Sequence, residues 1–123
     1  MFYEFKPLNN KWVKRIPSNL SFLNPRALAY FYMDDGSLQW SGVSTGMKLC
    51  TDNFELHEVQ YLKSYLENSY NLRLGLPSYQ DNKGVVRYRI SISADSSHTF
   101  VKIIKPYVIS SMLYKLPPLS YAL

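Results

Sequence analysis

The stretch Asn24-Pro25-Arg26-Ala27-Leu28-Ala29-Tyr30-Phe31-Tyr32-Met33-Asp34-Asp35-Gly36 decides how this 123-residue chain is read. Asparagine before proline marks a helix start. The Asn side chain can accept from an early backbone N–H, and proline at the first helical position lacks a donor that would be orphaned anyway. The run from 27 to 33 is apolar throughout. A helix apolar nearly all round has to be covered on several sides. Gly36 is expected to stop it in the left-handed cap conformation. Before that glycine stand two adjacent carboxylates, Asp34 and Asp35, at the helix end where the dipole disfavours negative charge. A divalent cation would offset that cost, since hard oxygen ligands suit Mg²⁺ or Ca²⁺. A solvated Asp-Gly turn accounts for the same residues without a ligand. The residues alone leave both readings open.

Downstream, residues 37–41 and 47–51 read as two short strands joined by a Gly- and Ser-rich turn. Asp52 or Asn53 can cap a second helix over about 55–69. Its apolar stripe is Leu56, Val59, Leu62 and Leu66, with Glu58, Lys63 and Glu67 off the stripe. Residues 72–79 form a third strand, and Pro77 argues for an edge or an early end. Residues 81–84 make a turn. The clearest strand is 85–93, with Val86, Tyr88, Ile90 and Ile92 on one side and Val85, Arg87, Arg89, Ser91 and Ser93 on the other. Asp95 or Ser96 can cap a third helix presenting Phe100, Ile103, Ile104, Tyr107 and Val108, which Pro106 kinks or ends. A short apolar helix or turn, 111–114, leads to Lys115-Leu116-Pro117-Pro118. The order helix, two strands, helix, two strands, helix is α+β with an antiparallel sheet. Helices would cover one face and leave the other to solvent or a ligand. Upstream, residues 1–22 carry Pro7, Pro17, Asn9, Asn10, Ser18 and Asn19. They read as a leading arm of extended or turn structure, before a single domain over 23–123.

Composition bounds the partner. Lys and Arg outnumber Asp and Glu 14 to 9, giving +5 and a pI near 9.3, which favours a polyanion. Tyrosine, at eleven residues, suits a core that opens onto a wet surface. No apolar run approaches the ~18 residues of a membrane span. The N-terminus lacks a signal layout, so the chain is expected not to be secreted. One cysteine, Cys50, excludes an intramolecular disulfide and a Cys-based zinc cluster, and His57 and His98 are too scattered for a His-rich metal site. If the apolar rows face the helices, the opposite rows carry Gln39, Lys48, Arg73, Arg87 and Arg89 with Ser37, Ser41 and Ser91, and no acid. Such a face can neutralise phosphates and read base edges; an ordinary solvated sheet face has similar polarity.

The string Leu28-Ala29-Tyr30-Phe31-Tyr32-Met33-Asp34-Asp35-Gly36 resembles the nine-residue motif that names the LAGLIDADG homing endonucleases. The longer LNPRALAYFYMDDGS looks like the second copy of the motif in two-motif, intron-encoded members. Thr51-Asp52-Asn53-Phe54, Ile104-Lys105-Pro106-Tyr107 and Met112-Leu113-Tyr114-Lys115-Leu116-Pro117 extend the likeness over most of the chain. The resemblance implies an αββαββα unit whose saddle-shaped antiparallel sheet lies over double-stranded DNA. It implies that two units pack their motif helices together, here through Ala29, Tyr30, Tyr32 and Met33. Tyr30 stands where the motif has glycine, the pattern of a second-half helix, so the partner is a second copy or a separately encoded first half. Asp35 and the Gly36 carbonyl would hold Mg²⁺ or another divalent cation, with Asp34 at the variable position and Lys115 near the scissile phosphate. Val13-Lys14-Arg15-Ile16-Pro17 resembles the end of a first half, which makes Lys14 that half's lysine. The implied activity is site-specific DNA cleavage. The alternative is an intron RNA maturase or a cleavage-inactive nucleic-acid-binding half-domain. The implied compartment is an organelle, mitochondrion or chloroplast, or a prokaryotic cytoplasm.

Overall fold

A computed structural model describes residues 2–7, 10–38 and 46–117, with backbone only at 2–6 and 11–14. The chain opens with a hairpin, β1 (Phe2–Lys6) and β2 (Lys11–Arg15), paired from Phe2↔Arg15 to Lys6↔Lys11. Helix α1 (Pro25–Asp35) leads into β3 (Gly36–Leu38) and β4 (Met47–Leu49). Helix α2 (Leu56–Tyr70) is followed by β5 (Leu74–Gly75), β6 (Ser78–Gln80), β7 (Val86–Tyr88) and β8 (Ile90–Ile92). Helix α3 (Ala94–Ile104) runs into two 3₁₀ turns, Lys105–Tyr107 and Ser110–Lys115. The fold is α+β with the helices in the expected order, and each of the two strands expected between α2 and α3 is split in two.

Helix α1 starts as its sequence predicts. The Asn24 side chain accepts from the Ala27 N–H at 2.9 Å, and Pro25 is the first helical residue. Its end differs. Gly36 is extended, with φ −93° and ψ 161°, not left-handed. Glycine is needed there for space: a Cβ would run into the ring and carbonyl of Tyr32. Helix α2 is capped by Glu55 rather than by Asp52 or Asn53, in a reciprocal box with Glu58. Glu58, expected off the apolar stripe, is buried, because its carboxylate also accepts from the Ile16 N–H at 3.0 Å. Asn71 closes α2 in the left-handed region, φ 54°. Helix α3 has Ser93 at its N-cap position rather than Asp95 or Ser96, and Pro106 ends it in the first 3₁₀ turn.

The main sheet has the order β3-β4-β8-β5, all antiparallel. Two of its rows are apolar: Leu38, Met47, Ile92 and Leu74 in one, Leu49 and Ile90 in the other. They join α1, α2 and α3 in one core with Leu28, Tyr32, Leu62, Leu66, Phe100 and Ile104. The row between them, Ser37, Lys48, Ser91 and Gly75, faces away. The predicted strand 85–93 is broken at Arg89, whose N–H donates to the Pro77 carbonyl at 3.1 Å. Its first part, β7, pairs with β6 in a separate hairpin. Val86, expected in the buried row, is therefore 48% exposed, and Tyr88 is half-buried. The arm is packed rather than trailing. Ile16, Leu20 and Leu23 enter the core, and the Tyr61 and Tyr70 hydroxyls donate to the carbonyls of Ser18 and Leu23. Among the described residues, no helix is long and apolar enough to cross a membrane.

Candidate metal centre and nucleic-acid interface

The end of α1 is where distant parts of the chain meet. A helix C-terminus leaves carbonyls without intrahelical donors, and those of Tyr32, Met33 and Asp35 find partners here. The Tyr32 carbonyl accepts from Gly36 N–H. The Met33 carbonyl accepts from Lys115 Nζ at 2.5 Å, and the same ammonium donates to the Gly36 carbonyl at 3.2 Å. The Asp35 carbonyl accepts from Cys50 N–H at 2.7 Å, which locks α1 to the end of β4. Lys115 is fixed at its other end too: its own carbonyl accepts from the Tyr32 hydroxyl at 2.6 Å. Burial pushes that phenol well above its ordinary pKa, so it stays a donor. The ammonium also opposes the negative end of the helix dipole. Asp34 is exposed and Asp35 half-buried at this end. The structure thus brings Asp35, Gly36 and Lys115 together. Lys14 is placed on β2 opposite Tyr3 by its backbone, and its side chain lies outside the described residues.

A second group of possible ligands, Glu55, His57 and Glu58, lies on the first turn of α2. The Glu58 carboxylate already accepts from the Ile16 and Glu55 N–H groups and pairs with Arg15. Those donors explain its burial without a metal.

The open sheet face carries the expected basic residues in unequal states. Gln39 lies outside the described residues. Lys48 sits in the central open row, flanked by Ser37 and Ser91. Arg73 pairs with Asp95 at 3.1 Å, at the exposed start of α3. Arg87 binds Asp81 through Nε at 3.2 Å and the Asp52 carbonyl through Nη1 at 2.9 Å. Arg89 makes a bidentate pair with Asp52, both bonds 3.0 Å, and lies over the Tyr79 ring. The expectation that the basic rows hold no acid is therefore corrected. Lys48, Cys50 and Asp52 alternate along β4 and its extension, which brings Asp52 onto the open face. That period of two was the available signal. Burial alone would raise the Asp52 pKa, but hydrogen bonds from Arg89 and Tyr79 outweigh it and hold the carboxyl below its ordinary value.

The helix contact also changes. Ala29 and Tyr32 are fully buried within the chain, and Met33 is 6% exposed. They belong to the chain's own core, so the expectation that they face a partner is corrected. Tyr30 remains, 51% exposed, on a stripe with Arg26 and Asp34 one turn either side. The Arg26 guanidinium lies 5.5 Å from the Tyr107 ring, which extends this surface.

Fold and site together define an α+β unit with one acid-terminated helix set against an antiparallel sheet. Residues 2–100 match the LAGLIDADG DNA endonuclease family, and the chain belongs to that family. It is 39% identical over 116 residues to the DNA endonuclease I-ChuI of Chlamydomonas applanata, covering 94% of this chain and 53% of the relative. It is 36% identical over 119 residues to the cytochrome b mRNA maturase bI2 of Debaryomyces hansenii, covering 92% and 42%. The chain thus spans about half the length of these curated relatives. The solved structure of the homing endonuclease I-WcaI bound to its DNA recognition sequence superposes with a TM-score of 0.73 at 21% identity, covering 94% of this chain and 62% of that one. That likeness shares the fold.

Proposed function

We propose that this chain is one half of a site-specific endonuclease that hydrolyses double-stranded DNA with a divalent metal. The meeting of Asp35, Gly36 and Lys115 at the end of α1, beside the open face of the sheet, carries the reading. The Asp35 carboxylate and the Gly36 carbonyl are hard oxygen donors of the kind Mg²⁺ takes. Bound there, the cation would supply Lewis-acid stabilisation of phosphodiester charge and a more acidic water. Lys115 holds the C-terminal end of the α1 backbone in place and adds positive charge where a phosphate would sit. Lys48 would neutralise a backbone phosphate over the central row. Tyr30, with Arg26 and Asp34, would meet the motif helix of a second copy or of a separately encoded first half. Residues 1–22 are read as the end of such a first half, with Lys14 its lysine, and 23–123 as the second. The source would be an intron-bearing organellar or prokaryotic genome.

The test is cleavage of a duplex carrying the intron-insertion sequence, in Mg²⁺, by the chain alone and mixed with a first-half unit. Asp35→Asn should abolish cleavage while duplex affinity stays within a few-fold. Lys115→Met should slow it about a hundredfold or more, as expected for losing one charged group at the reacting phosphate. Full cleavage by Asp35→Asn would overturn the assignment.

A second reading has its own support, because relatives at 36% and 37% identity are named mRNA maturases. On that reading the chain binds a structured intron RNA tightly, Asp35→Asn leaves that binding intact, and no duplex is cut in Mg²⁺.

A further inference from the structure

We propose that Asp52 is a selectivity residue of the nucleic-acid face: it ties Arg89 into a charge-compensated clamp with Tyr79, so that Arg89 acts as one oriented donor and not as a general phosphate-neutralising cation. The proposal rests on the DNA-binding reading above. Its basis is the allocation of the guanidinium's five N–H groups. Arg89 Nε donates to Asp52 Oδ1 at 3.0 Å and Nη2 to Oδ2 at 3.0 Å. The other Nη2 hydrogen goes to the Tyr79 hydroxyl at 2.9 Å, and that hydroxyl donates back to Asp52 Oδ2. The ring of donors and acceptors is closed. Tyr79 also lies beneath the guanidinium, with Cζ 4.1 Å from the ring centroid. Among the described residues, only the two N–H groups on Nη1 have no acceptor. Both are on one nitrogen, so Arg89 cannot offer a two-nitrogen fork to a phosphate or a guanine while the clamp holds.

Position gives the clamp its consequence. Asp35 and Cys50 are joined by a backbone hydrogen bond, and the pairing Leu49↔Ile90 puts Arg89 beside Cys50 on the next strand. At ~4.8 Å per strand, the Arg89 backbone lies about 10 Å from that of Asp35. Arg89 thus stands on the floor next to the candidate metal centre. Sequence-independent affinity grows with the number of phosphates that free cations neutralise. A cation already matched by a carboxylate adds little to it. A fixed donor, in contrast, gains only when an acceptor sits at one point. The clamp therefore lowers affinity for arbitrary sequence and leaves a position-dependent contact. Arg87, held by Asp81 and the Asp52 carbonyl, extends the arrangement along the hairpin.

The test is a salt titration of binding to a short random-sequence duplex, read by fluorescence anisotropy. Asp52→Asn keeps the shape and frees the cation. Its affinity should rise several-fold, and the slope of log affinity against log salt should steepen by about 0.9, one phosphate's worth. Adding Arg89→Gln should return the slope to the wild-type value. Should Asp52→Asn not fold, Arg89→Gln in the wild-type background decides: its slope should fall much less than that of Lys48→Ala, and an equal fall overturns the proposal. Binding by the wild type with no change in slope in Asp52→Asn overturns the role of Asp52 alone. Duplex binding gained only by Asp52→Asn supports it. Binding by neither protein overturns both this proposal and the DNA-binding reading.

Discussion

Gly36 is a glycine because of Tyr32. Its backbone is extended, a conformation any residue adopts, but a Cβ there would run into the Tyr32 ring and carbonyl. Gly36→Ala should destabilise the fold by about 1–3 kcal/mol, the usual range for forcing a methyl into a packed site. The check is a lower urea midpoint at unchanged m-value. Tyr32→Phe is the gentler companion. It removes the hydroxyl that binds the Lys115 carbonyl and should cost about 1–2 kcal/mol. It should also loosen Lys115, lowering cleavage more than duplex binding. Asp52 gives a pH prediction. Its folded pKa is held below the ordinary value of about 3.9. The stabilisation is then complete above that value and is lost as pH falls through the lower folded value. Asp52→Asn should flatten the acid limb of a stability–pH curve, and an unchanged limb would remove Asp52 from the account. At this scale the two carboxylates at a helix end left a solvated turn open, and the likeness of the motif is what points to Asp35. The environment of Asp52 was not, since its partners lie 27 and 37 residues away.

Elements were legible where the chain carries local signals. The start of α1 rests on Asn24 and Pro25 alone, and Asn24→Ala should cost about 1 kcal/mol of stability. The caps of α2 and α3 lie two or three residues from the expected ones because several polar residues compete at each. At α2 the competition is settled by Glu58, which reaches both the Glu55 N–H and the arm. Glu58→Ala should release that arm, and trypsin should then cut after Arg15 markedly faster than in the wild type. Equal cutting rates would mean that Glu58 does not hold the arm. The strand 85–93 shows the limit of a periodic pattern. Its alternation is unbroken in sequence, but the chain first finishes a hairpin with β6 and joins the main sheet only after Arg89. Alternation fixes which residues share a side; it does not say whether helices reach far enough to cover them.

At the scale of the molecule, the net charge of +5 is spread less simply than the sequence implies. Arg73, Arg87 and Arg89 are matched by Asp95, Asp81 and Asp52, while Lys48 sits half-buried in the central row between Ser37 and Ser91. The unit buries the apolar run of α1 almost entirely in its own core, leaving Tyr30 to face outward. Sequence by itself determined the helix start at Asn24, the α+β order, the apolar rows of the main sheet and the pairing of acid with glycine at the end of α1. Each depends on neighbours a few residues apart, where propensity and period act. Only the tertiary structure decided that Lys115 closes α1, that Gly36 makes room for Tyr32, and that Asp52 holds Arg89. These are contacts between groups far apart in the chain, and local sequence carries no record of which partner will arrive.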